Sequence, residues 1–75
     1  MAKREYLYLT FNSTTDAMAA ESLFKESNIK GRLVIIPREL SAGCGMAWRS
    51  DPAYRTELIQ VAKQNNITLN QVEIL

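Results

Sequence analysis

Tyr6-Leu7-Tyr8-Leu9-Thr10-Phe11-Asn12-Ser13-Thr14-Thr15-Asp16 is the stretch that decides the fold of this chain. Leu7, Leu9 and Phe11 alternate with Tyr6, Tyr8 and Thr10, the period-two pattern of a strand with one buried face. The polar string that follows supplies N-cap oxygens and an early acid, so the chain passes almost directly from strand to helix. Ala17, Ala20 and Phe24, with Met18 and Leu23, continue as a helical stripe, and Asn28 suits the left-handed residue that ends it.

Working outward, Arg32-Leu33-Val34-Ile35-Ile36 is rich in β-branched residues and closes at Pro37. It reads as a second strand, buried on both sides or in contact with a neighbour. Met46-Ala47-Trp48-Arg49 forms a short third strand. Asp51 then caps a second helix with Pro52 at its first position, and Leu58, Ile59 and Ala62 carry its apolar face to Asn65-Asn66. Gln71-Val72-Glu73-Ile74 alternates again as a final strand. The order β-α-β-β-α-β predicts an α+β fold, the ferredoxin-like split βαβ: a four-stranded antiparallel sheet with both helices on one face. Residues 1–75 read as one domain, without repeat, linker or low-complexity tract.

The bulk numbers narrow the function. A core built from 75 residues supplies only about 3–5 kcal/mol without staples or a partner, so a homo-oligomer is an expectation. Nine Lys and Arg against eight Asp and Glu leave a formal charge of +1, which steers the protein to neither nucleic acid nor an anionic membrane. Tyr6, Tyr8 and Trp48 are a candidate base-stacking set on the sheet, but the third strand lacks the basic, glycine and aromatic string of RNA-binding modules. The early apolar run is shorter than a secretory core region, and no segment approaches the ~20 apolar residues of a membrane span. One cysteine forms no internal disulfide, which makes the cytosol the default compartment. The absence of histidine rules out a Cys-His pair or an imidazole metal site within the chain, and a lone cysteine falls short of the close pair typical of metal carriers, so no metal or cofactor is expected.

That cysteine, Cys44, lies between Gly43 and Gly45 in a turn-like segment and reads as a presented thiol. A right-handed crossover makes the first two strands parallel, which brings the loop between strands two and three to the sheet end where the first helix starts. Cys44 is therefore expected to face Ser13, Thr14 and Thr15, where unpaired helix N–H groups favour thiolate over thiol, with Arg38 as a further cation. Plainer roles stay open beside these. Gly43 and Gly45 suit a tight turn as well as an anion nest, and Ser13-Thr14-Thr15 suits an ordinary cap. Arg38 can pair with Glu39, and Glu21 with Lys25.

Phe11-x-Ser13-Thr14 before the helix, Ala17-x-x-x-Glu21 within it, Pro37-Arg38 followed by Ser41, and Cys44-Gly45-Met46-Ala47 together resemble the small bacterial selenium/sulfur carrier protein-like family, formerly a domain of unknown function. The resemblance runs from Tyr6 to about Leu75. It implies a single-domain carrier, non-enzymatic or weakly catalytic, whose Cys44 holds sulfur as a persulfide or selenium as a selenopersulfide, with Pro37 and Arg38 before the loop, Ser41 within it and Gly45 after the thiol. It implies as partners a cysteine desulfurase or selenocysteine lyase as donor, and an acceptor. The chain departs from the pattern at Ala42-Gly43 and Trp48-Arg49, where small polar residues and a smaller apolar residue before a basic one are expected. The alternative function is a small oligomeric or regulatory module that docks through its sheet face, with Cys44 incidental.

Overall fold

The computed structural model describes residues 5–40 and 45–75. Strands β1 (Leu7–Phe11), β2 (Gly31–Ile35), β3 (Met46–Ser50) and β4 (Leu69–Ile74) alternate with helices α1 (Thr14–Glu26) and α2 (Arg55–Gln64) in the order β-α-β-β-α-β. They form one antiparallel sheet in the order β2-β3-β1-β4, so β1 and β2 run parallel on either side of β3. This is the α+β, ferredoxin-like arrangement that the alternation and capping signals predict.

The helix-facing layer is read directly from the strand periods. Leu7, Leu9 and Phe11 reach zero exposure, together with Ala17, Ala20 and Phe24 of α1 and Leu58 of α2. Trp48 stands opposite both Leu9 and Leu33 and packs its ring against Phe24, with centroids 5.2 Å apart and planes inclined by 59°. Its Nε1–H has no hydrogen-bond partner among the described residues, a cost of about 1–3 kcal/mol. Burying a ring of that size contributes roughly 4–6 kcal/mol, so Trp48 remains net stabilising. It is also removed from the open sheet face, which leaves Tyr6 and Tyr8 without the third ring of a base-stacking set.

The ends of the elements follow from local chemistry. Ser13 caps α1, its Oγ accepting from the Asp16 N–H at 3.1 Å, and Asn28 leaves the helix with φ 60°. Asp51 accepts from the Ala53 N–H at 2.8 Å and starts a single 3₁₀ turn, Pro52–Tyr54, so Pro52 opens that turn and α2 begins three residues later than its cap signal suggests. Met18 points outward at 60% exposure, off the stripe its spacing allowed. β2 is an edge strand with exposed or half-buried side chains, because β3 pairs with one side and nothing described pairs with the other. In β4, Asn70 and Gln71 bulge opposite Thr10, whose Oγ1 accepts from the Gln71 N–H at 2.8 Å. That bond accounts for a threonine buried completely on the side away from the helices.

Gly31 is the tightest point of the sheet. A Cβ there would lie 2.5 Å from the backbone oxygen of Arg49 and 2.8 Å from the Trp48 ring. Gly31→Ala is expected to destabilise the domain by about 1–3 kcal/mol in urea denaturation, while Met18→Ala stays within about 0.5 kcal/mol of the parent.

Candidate functional site

Each strand pairing carries the β2–β3 connection to one end of the sheet. Thr10 pairs with Ala47 and Ile35 with Met46, and the Ile36 N–H donates to the Gly45 carbonyl at 3.1 Å. Gly45 therefore stands at the end of the sheet where β1 runs out into Asn12 and the Ser13 cap. The α1 N-terminus, with its unpaired N–H groups and partial positive charge, opens at this same end. Thr14 and Thr15 are exposed on its first turn and Ser13 is half-buried. Ser13 is committed to the Asp16 N–H, so it acts first as a cap.

The loop leaves β2 through a turn. The Leu40 N–H donates to the Pro37 carbonyl at 3.0 Å, which puts Arg38 and Glu39 at the exposed tip. No ion pair joins them, so Arg38 is not held by its neighbour; the pairing that does form is Glu21 with Lys25, at 3.6 Å across one helical turn. Leu40 is buried at 8% exposure, as is Ala47 at zero, yet neither belongs to the helix-side core. The sequence reading missed Leu40, a lone apolar residue in a polar loop. Ser41, Gly43 and Cys44, with Ala42, lie outside the described residues, so their expected positions rest on the chain on either side.

Gly45 re-enters the described chain with φ 71°, in the left-handed region, and a Cβ there would meet no atom within 4 Å. Its glycine is needed for backbone conformation, not for room. Consecutive N–H groups in such a segment can turn toward one anion. Among the described residues no group of three or more His, Cys, Asp or Glu could hold a metal ion, and no helix is long and apolar enough to cross a membrane. A cleft lies at the other end of the sheet, around the start of β2.

In this small split βαβ domain the β2–β3 connection thus rejoins the sheet at Gly45, at the end where α1 begins. The chain belongs to the family described as Putative Se/S carrier protein-like, whose model matches residues 6–72. The match spans β1 to β3, both helices, the whole β2–β3 loop and the first part of β4. No match was found among curated proteins or among solved structures.

Two backbone features of the site have measurable weight. Gly45→Ala is expected to cost about 1–2 kcal/mol by chemical denaturation, with Gly45→Asn milder because Asn tolerates positive φ. Ser13→Ala is expected to cost about 1 kcal/mol through loss of the α1 cap.

Proposed function

We propose that the protein carries sulfur or selenium on Cys44 as a persulfide or selenopersulfide. The observation that supports this most is the left-handed glycine at position 45, adjoining the thiol residue at the sheet end where α1 begins. Family membership supports it independently. Loading is an exchange. The Cys44 thiolate attacks the outer sulfur of a donor enzyme's persulfide, a new S–S bond forms, the donor's S–S bond breaks, and the donor cysteine leaves as a thiolate. The sulfur moves without net oxidation, and delivery to an acceptor thiolate repeats the exchange. The terminal atom of the loaded group is anionic at neutral pH, so loop N–H groups, the α1 N-terminus and Arg38 stabilise it with no general base. Ser41, Gly43, Gly45, Ser13, Thr14 and Thr15 form the proposed surroundings.

Incubation with a cysteine desulfurase and cysteine is expected to add the mass of one sulfur atom to the intact protein and nothing to Cys44→Ala. A selenocysteine lyase with selenocysteine tests selenium in the same way. A wild-type protein that never gains the adduct would sink the carrier reading. The rate of alkylation of Cys44 against pH is expected to show a midpoint below the free-thiol value of about 8.5, moving up in Arg38→Ala.

The second reading, a module that docks through its sheet, draws on the free edge of β2, where Ile35 is 85% exposed, and on the half-buried Tyr8 and Val34. A dimer seen by sedimentation with Ile35→Lys breaking it, together with an unreactive Cys44, would favour that reading.

A further inference from the structure

The end of the sheet remote from Gly45 holds a cleft of about 600 Å³ around the start of β2 and the exit of β3. Among the described residues its side chains include Lys30, Arg32 and Arg49, against a single carboxylate, Asp51, with Tyr6 and Tyr54 as aromatic walls. Asp51 is already turned to the Ala53 N–H at 2.8 Å.

Arg32 and Arg49 are directly opposed across β2 and β3. Like charges in that position destabilise a sheet unless something neutralises them. No ion pair to either is formed among the described residues, where the pair is Lys25–Glu21 on α1. Glu73 on β4 is separated from Arg49 by Tyr8 of β1, two strand spacings or roughly 10 Å away. The Arg49 guanidinium instead lies over the Tyr6 ring, 4.5 Å from its centroid, which holds the fork in place. Gly31 lets β2 approach the Arg49 carbonyl closely at the start of this cleft, since a Cβ there would collide with it.

We propose that this cleft binds a small phosphate monoester, its head held by Arg32, Arg49 and Lys30. Three cations against one carboxylate match a dianion better than a carboxylate monoanion, and paired guanidinium forks suit phosphate oxygens. The volume exceeds what a bare phosphate fills and falls within the range of small-molecule pockets, so the ligand has an organic body that lies along Tyr6 and Tyr54. The site is distinct from the Cys44 loop and does not depend on sulfur or selenium carriage.

The test is an amide-shift titration of the whole protein by NMR, at neutral pH and constant ionic strength, with phenyl phosphate, inorganic phosphate and benzoate as probes. Phenyl phosphate is expected to saturate and to move the amides of residues 30–32 and 49–54, with inorganic phosphate weaker and benzoate weakest. Arg32→Gln and Arg49→Gln are each expected to weaken phenyl phosphate by about tenfold or more, and Arg32→Lys to retain part of the affinity. Unsaturable shifts, shifts spread over the chain, affinity unchanged in all three variants, or tighter binding of benzoate than of phenyl phosphate would each overturn the proposal.

Discussion

The central position of β1 is the constraint on which the rest depends. It hydrogen-bonds to β3 on one side and β4 on the other, and its alternate side chains Leu7, Leu9 and Phe11 are completely buried under both helices. A shift of one residue in its register would turn all three to the open face, so the hydrophobic term holds the register. That register aligns Ala47 with Thr10 and so sets where β3 begins. This alignment brings Gly45, where the chain enters β3, to the mouth of α1.

The two ends of the sheet differ in kind. At one end, the Ser13 cap, the left-handed Gly45 and the α1 terminus flank the points where the chain leaves β1 and enters β3. At the other, the positive character comes from side chains, with two opposed arginines and a lysine around a cleft. Nearly balanced totals of acidic and basic residues conceal this segregation, because net charge carries no information about position.

The fold was legible because the local signals agree. The alternation from Tyr6 to Phe11, the Ser13 cap and the left-handed Asn28 fall where the structure has them, while Asp51 and Pro52 open the 3₁₀ turn that leads into α2. Where single residues departed, packing overrode spacing. Met18 lies on an arc of α1 that the sheet does not reach, and β2 is β-branched yet exposed because an edge strand has a neighbour on one side only. Trp48 looked as available as Tyr8 until the pairing of β3 fixed its parity with Leu9 and Leu33 and put it in the core.

By itself the sequence determined the element order, the helix caps, the presence of one thiol between glycines and the lack of histidine chemistry, since each is a property of neighbouring residues. The family resemblance, resting on the spacing from Phe11 through Ala47, was equally readable. Only the tertiary structure decided which side chains share a face across strands. Arg32 and Arg49 are 17 positions apart in the chain, and nothing local to either marks them as opposed. Their juxtaposition, the burial of Thr10 against its bulge and the close approach at Gly31 arise from strand register, a long-range quantity set by the β1 core.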